Sequence, residues 1–296
     1  MDRVKYALVV LCACGSSPPG VQPGWMSAID DARDLASLSI PGTHESAALY
    51  EPVPGTAKCQ NLTLEQQLAA GVRYFDIRCR HVNDMFAIFH GPVDEQQTFD
   101  QVTQTMLDFL DAQPTETVVM SIKEESAPSG DTQTFEQTFQ SYVAQHPDRW
   151  YLGDAVPALG DVRGKIVLLR RFGATATPLG LDASAWADNT TFTLTDTDAT
   201  LRVQDQYLVT STDTKWSEIT ALLDEATASD GATLYLDYTS GYESHSGVPN
   251  TPSVANAINP MLDTFLDDSA NAGRHLGVMA MDLINEHRAF RIAESN

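Results

Sequence analysis

Basic residues are scarce in this chain of 296. Only 18 lysines and arginines face 40 aspartates and glutamates, a formal net charge of −22. A phosphate backbone needs a basic footprint, so nucleic acid is excluded as a partner and loose adhesion to anionic lipid is disfavoured. Cysteine is scarce as well. Of 4 in all, Cys12 and Cys14 lie near the N-terminus, and Cys59 and Cys79 have no C-x-x-C spacing. That argues against a structural zinc site. No apolar run approaches the length needed to span a bilayer. Repeats, low-complexity tracts and, past residue 20, any linker are missing too. With 43% hydrophobic residues over this length, the chain can bury a substantial core in one large domain or two small ones, under a solvated acidic surface.

The N-terminus has the shape of an export signal. Arg3 and Lys5 form a small basic region, and Ala7 to Ala13 a short apolar core. Leu11-Cys12-Ala13-Cys14-Gly15 matches a bacterial lipobox, in which the cysteine after a small residue carries lipid. Ordinary cleavage and free secretion are the alternative. The expected division is a signal over residues 1–13, a tether over 14–24 and a catalytic barrel over 25–296. The protein is thus expected to be exported, either anchored at a membrane through Cys14 or secreted. In an oxidising compartment Cys59 and Cys79 become candidates for a disulfide, which would pin the loop after Ala48.

Short apolar runs recur along the rest of the chain, with helical patterns between them. Candidate strands are Ala36–Ile40, Arg73–Ile77, Phe86–Phe89, Thr117–Ile122, Lys165–Leu169, Thr233–Leu236 and Leu276–Met281. They read as buried parallel strands. Thr63-Leu-Glu-Gln66 and Thr98-Phe-Asp-Gln101 read as capping boxes that open helices. Further helices are expected over Thr134–Ala144, Lys215–Ala226 and Val254–Leu266, the last kinked or started by Pro260. The segment from Gly173 to Thr214 is poor in apolar runs and is expected to hold short strands or loops. Strands that alternate with helices imply α/β architecture with a parallel sheet, and this many units favour a barrel over an open sheet.

The polar residues at the strand ends carry the functional reading. One strand-end histidine is an ordinary surface residue. Here, however, the runs end in His44, Arg78, His90, Lys123 with Glu125, Arg171, Asp237 and Asp282. In such barrels the reactive mouth lies at the C-terminal ends of the strands. Two histidines can share the roles of base and acid near neutrality, and an arginine between them can grip an anion.

Ser39-Ile-Pro-Gly-Thr-His-Glu-Ser46, Val72-Arg-Tyr-Phe-Asp-Ile-Arg78, Phe89-His-Gly91, Met120-Ser-Ile-Lys123 and Gly164-Lys-Ile-Val-Leu-Leu-Arg-Arg171 follow one another in order. Together they resemble the catalytic X-type domain of phosphatidylinositol-specific phospholipases C, in its bacterial single-domain branch. The resemblance covers about residues 25 to 290. It implies a distorted, incompletely closed TIM-type (β/α) barrel and metal-independent cleavage of phosphatidylinositol to diacylglycerol and inositol 1,2-cyclic phosphate. Under it, His44 corresponds to the general base and His90 to the general acid. Arg78 corresponds to the phosphate clamp, and Asp282 to the carboxylate that orients the base. Lys123, Glu125, Arg171, Asp205 and Tyr207 match headgroup-binding positions, with Asp76 beside them.

The resemblance further implies that no cofactor is needed, because Arg78 stands where calcium-dependent relatives carry an acidic ligand. Glu45, Asp76 and Glu125 are the carboxylates that would cage calcium if it bound. Glu45 departs from the bacterial pattern, which has aspartate there to assist the acid. The implied partners are a phosphatidylinositol or glycosyl-phosphatidylinositol headgroup and a membrane surface, met peripherally or through a lipid at Cys14, with the protein a monomer. A glycerophosphodiesterase or sphingomyelinase on the same barrel would need a metal-binding acidic pair near His44. A non-catalytic inositide- or glycan-binding lipoprotein would have lost a catalytic residue.

Overall fold

The structure, a computed structural model, describes residues 23–245 and 248–296. The expected signal, the lipobox and most of the tether lie outside the described residues. The strands are β1 (Ile40–Thr43), β2 (Tyr74–Val82), β3 (Met85–His90), β4 (Val93–Thr98), β5 (Val118–Ser129), β6 (Trp150–Tyr151) and β7 (Ile166–Arg171). They continue with β8 (Leu181–Asp182), β9 (Thr190–Thr195), β10 (Thr200–Asp205), β11 (Thr233–Tyr238), β12 (Glu243–His245), β13 (Val248–Asn250) and β14 (Val278–Met281). The helices are α1 (Leu64–Ala69), α2 (Phe99–Ala112), α3 (Phe135–Gln145), α4 (Leu159–Val162), α5 (Thr212–Ala228), α6 (Thr251–Asp267) and α7 (Glu286–Glu294).

The central strands run parallel in the order β6-β7-β5-β2-β1-β14-β11-β10, and β9 adds an antiparallel edge beside β10. No pairing among the described residues joins β9 to β6 or β8, so the barrel is open on that side. This is the incompletely closed barrel that the motifs imply.

Alternation along each strand sorts the core into two layers. Tyr74, Val119, Val167, Leu169, Val203, Leu236, Val278 and Ala280 fill the barrel interior. Their neighbours Phe75, Ile77, Met120, Ile122, Leu168, Met279 and Met281 face outward against Val102 and Met106 of α2, Ile219 of α5 and Ile258 of α6. Capping boxes form at Thr63 and Thr98, and a third at Thr134 with Gln137. Each satisfies backbone donors that a helix start leaves without partners.

Several expectations change. The run from Ala36 begins as a single turn over Leu35–Ser37, and the strand itself starts at Ile40. Helix α6 starts at Thr251, so Pro260 lies inside it rather than at its start. The segment after Gly173 contributes a true barrel strand, β10, parallel to β11. The largest change concerns Phe86–Phe89. It forms β3, which pairs antiparallel with β2 and β4 instead of taking a parallel place in the barrel. Asn83 and Asp84, with φ of 51° and 58°, make the two-residue turn between β2 and β3. Positive φ at both central positions is the type I′ signature whose twist suits a hairpin.

Candidate active site

A cleft of about 710 Å³ opens at the C-terminal end of the parallel strands. Its wall includes His44, Glu45, Arg78, His90, Lys123, Glu125, Arg171, Asp205 and Tyr207. Inward-facing positions of β2, β5, β7 and β10 supply Arg78, Lys123, Arg171 and Asp205, so the period of the strand that packs the interior lower down also builds the site.

His44 is the residue after β1, and Asp282 the residue after β14. The parallel pairing of those strands sets the two side chains together. His44 Nδ1 lies 2.8 Å from Asp282 Oδ1, and Nε2 lies 3.0 Å from Arg78 Nη2. A guanidinium only donates, so Nε2 accepts and the ring proton sits on Nδ1, facing the carboxylate. His44 is therefore a neutral imidazole with its basic lone pair turned toward Arg78.

Arg78 is the hub. Its Nε and Nη2 donate to Asp76 Oδ2 at 3.2 and 3.1 Å, and its Nη1 reaches Glu125 Oε2 at 3.4 Å. Glu45 Oε1 lies 2.7 Å from Nη1 without hydrogen-bond alignment. Burial opposes the charge on Arg78, yet Asp76, Glu45 and Glu125 outweigh it and raise its pKa well above the usual value. Burial likewise works against Asp76, but Arg78 and Arg171 hold its carboxyl well below the usual range. Glu125 behaves in the same way: burial is outweighed by Arg78 and Lys123, the latter donating to Oε2 at 2.8 Å. Glu45 is the exception. Burial dominates there, with Arg78 opposing, and its carboxyl is raised to about 8.

His90 ends β3, on the hairpin, and faces His44 across this cluster. Its Nδ1 donates to the carbonyl of Ala57 at 2.6 Å, leaving Nε2 3.9 Å from Glu45 Oε1. Glutamate at position 45 therefore does reach toward His90. Arg171 Nη1 lies 3.5 Å from Asp76 Oδ1, and its Nε has no partner. The Tyr207 hydroxyl donates to Asp188 at 2.7 Å, and its ring stacks on Tyr242. That bond and burial push its pKa up to about 12.

All eleven expected site residues gather in or directly behind this cleft; Asp76 and Asp282 form the second row. The strand-end Asp237 does not. It points outward, accepting from Gln204 at 2.8 Å beside the buried Lys215. Cys59 and Cys79 are free thiols, not a disulfide. Cys79 packs in the outer layer, whereas Cys59 lies 4.0 Å from His90 Nδ1. The motifs place Cys79 next to Arg78 in sequence, and adjacent strand residues point to opposite faces.

The sequence reading missed two residues. Gln60 Nε2 donates to the carbonyls of both His44 and Met281 at 2.8 Å, tying the ends of β1 and β14 together. Trp186 donates to Asp205 at 2.9 Å while its ring carries the Arg171 guanidinium 3.7 Å from its centre. A lone tryptophan in a stretch of small polar residues was the available signal.

An open parallel barrel with paired histidines, an arginine and a ring of polar side chains at its mouth defines an acid–base enzyme site for a polyhydroxylated anion. The model of the phosphatidylinositol-specific phospholipase C X domain matches residues 39–172. A 1-phosphatidylinositol phosphodiesterase of Staphylococcus aureus is 34% identical over 274 residues, covering 87% of each chain. One from Listeria monocytogenes is 31% identical over 285 residues, covering 92% of this chain and 84% of that one. A mutant phosphatidylinositol-specific phospholipase C from Staphylococcus aureus superposes with a TM-score of 0.84 at 31% identity, over 93% of this chain and 96% of that one. The chain belongs to the phosphatidylinositol-specific phospholipase C family.

Proposed function

We propose that this protein is a phosphatidylinositol diacylglycerol-lyase. It releases diacylglycerol and inositol 1,2-cyclic phosphate by general acid–base catalysis without a metal. The observation that carries this reading is the line Asp282–His44–Arg78, which holds a neutral base beside a phosphate-gripping cation. The inositol 2-hydroxyl gives its proton to His44 Nε2 as its oxygen attacks phosphorus. The bond from phosphorus to the diacylglycerol oxygen breaks, and His90 protonates that oxygen. Asp282 stabilises the imidazolium that forms on His44.

Attack from the neighbouring hydroxyl is intramolecular, so the barrier lies in proton transfer and phosphorane charge. Arg78 meets that charge with a fork of donors that a lysine lacks. Lys123, Glu125, Arg171, Asp205 and Tyr207 offer the donors and acceptors that ring hydroxyls require. Glu45, Asp76 and Glu125, the carboxylates that a calcium cage would need, surround the Arg78 guanidinium.

The substrate is the phosphatidylinositol headgroup, free or within a glycosyl-phosphatidylinositol anchor, met by a monomer at a membrane surface. Exposed Tyr50 and Val53 on the loop leading to the cleft wall, and Leu208 beside Tyr207, supply apolar contact there. Export with lipid on Cys14 would hold the enzyme at that surface. Cys14→Ser should abolish metabolic labelling with palmitate, and labelling that survives rejects the anchor.

The direct test incubates purified protein with phosphatidylinositol and excess EDTA. Inositol 1,2-cyclic phosphate is expected. Product that appears only with added calcium overturns the metal-independent mechanism, and no product in either condition overturns the activity.

A further inference from the structure

We propose that His44, Cys59 and Asp282 form an inhibitory site for a thiophilic divalent cation of the zinc class. An imidazole nitrogen, the Cys59 sulfur and a carboxylate oxygen of Asp282 all lie within 4.8 Å of one another. The sulfur also lies 4.0 Å from His90 Nδ1, so it stands between the two histidines. Asp282 Oδ2 is buried and has no hydrogen-bond partner, although Oδ1 is engaged by His44. A buried carboxylate oxygen left open is a cost that a cation removes. Nitrogen, thiolate and carboxylate are the ligand types zinc prefers, at about 2.0–2.3 Å, which places tetrahedral ligands roughly 3.3–3.8 Å apart. A modest rearrangement of the trio therefore suffices, the sulfur closing on the ion while the His44–Asp282 pair parts. His44 lies on the cleft wall, which leaves the fourth position open to water.

The site differs from a structural zinc centre because occupancy defeats catalysis. The Cys59 thiol is buried and must give up its proton to ligate, since the thiolate is the metal ligand. Binding releases that proton to solvent as the metal–sulfur bond forms. The ring binds neutral. If Nδ1 ligates, its proton must sit on Nε2, where Arg78 can no longer donate to it. The cation thus breaks the Asp282–His44 bond and displaces the phosphate clamp. This consequence for activity rests on His44 being the base.

Cobalt(II) is the probe, since a cobalt–thiolate bond gives a near-ultraviolet charge-transfer band. The full-length protein is titrated with Co2+, and the same samples are assayed for phosphatidylinositol cleavage. A band that grows with pH, vanishes in Cys59→Ala and persists in Cys79→Ala is expected. Zinc should displace cobalt and reduce the wild-type rate in step with occupancy. Cys59→Ala should be far less sensitive, relative to its own metal-free rate. Circular dichroism confirms that each variant is folded, and Asp282→Asn, which keeps the thiol, should weaken the band independently. No band, or a band that survives in Cys59→Ala, overturns the site. A Cys59-dependent band with an unchanged rate supports the site and overturns the role of His44.

Discussion

Arg73, one residue before β2, and Arg78, midway along it at the barrel mouth, make opposite use of the same side chain. Arg73, just before β2, is fully buried at the bottom of the barrel. Its Nε and Nη2 meet Glu116 Oε2 at 2.9 and 2.8 Å, and Nη1 donates to the carbonyls of Leu68 and Val72. Nη2 also reaches the carbonyl of Pro23. Phe109 lies under the guanidinium at 4.4 Å. Burial lowers the Arg73 pKa to about 10, although Glu116 opposes it. There one cation meets one carboxylate, and every arm is spoken for. At the top, Arg78 is surrounded by Asp76, Glu45 and Glu125 and touches a histidine. Its side chain is 12% exposed, toward the cleft. A closed pair fixes a fold. An oversupplied cation in a cleft can exchange partners, and a substrate phosphate is such a partner.

The widest separation between the two ends should come from substitution. His44→Ala is expected to lower kcat by up to ~10⁴-fold, and Arg78→Lys by about 10²–10³-fold because the charge stays but the fork is lost. Arg78→Lys should melt within a few degrees of the wild type, since a cation still faces Asp76, Glu45 and Glu125. At the bottom, Glu116→Ala strands a buried guanidinium and should cost about 3 kcal/mol or more of stability, read from the urea midpoint. The kcat of its folded fraction should hold. An Arg73→Met, Glu116→Leu pair should regain most of that loss, because an apolar replacement leaves no charge unpaired. A Glu116→Ala protein with normal stability, or an Arg78→Lys enzyme with normal kcat, would erase the contrast.

That contrast was half visible in the sequence. The run from Val72 to Arg78 holds both arginines, and strand alternation places Asp76 and Arg78 on one face. What placed Arg78 at a reactive mouth was its company at other strand ends. The partner of Arg73 is Glu116, far along the chain, and no local pattern announces it. The hairpin that carries His90 was missed because an apolar run reads alike in parallel and antiparallel strands. Asn83-Asp84 was the clue to the turn. The cysteine pairing failed for the reason that makes Arg78 useful: neighbours on a strand part company. Gln60 was invisible because its work is done on backbone carbonyls brought together by β1 and β14, which are distant in sequence.

The finest difference between the ends lies in protonation, and Glu45 reads it out. The lower carboxylate faces its cation as a closed pair; in the upper cluster burial, with Glu125 and Asp76 adding to it, outweighs Arg78 and leaves Glu45 protonated. Glu45 adopts φ of 42°, is buried, and holds its carboxyl up to about 8. Its Oε1 lies 3.9 Å from His90 Nε2, beyond a hydrogen bond but close enough for its charge to act on the acid. As pH rises through about 8 Glu45 ionises, and a carboxylate beside His90 then favours the imidazolium that serves as the acid. Glu45→Gln keeps the shape of the side chain and removes that carboxylate. The alkaline limb of kcat should therefore move to lower pH in the glutamine variant. The stability effect has the opposite sense. A carboxyl raised in the fold favours folding below its unfolded value near 4.5, and that contribution is lost as pH rises through 8. The glutamine variant should accordingly melt higher than the wild type at pH 9, with the gap narrowing toward pH 5. An unmoved alkaline limb together with that stability gain would leave Glu45 a buried neighbour of the acid whose charge does not act on it.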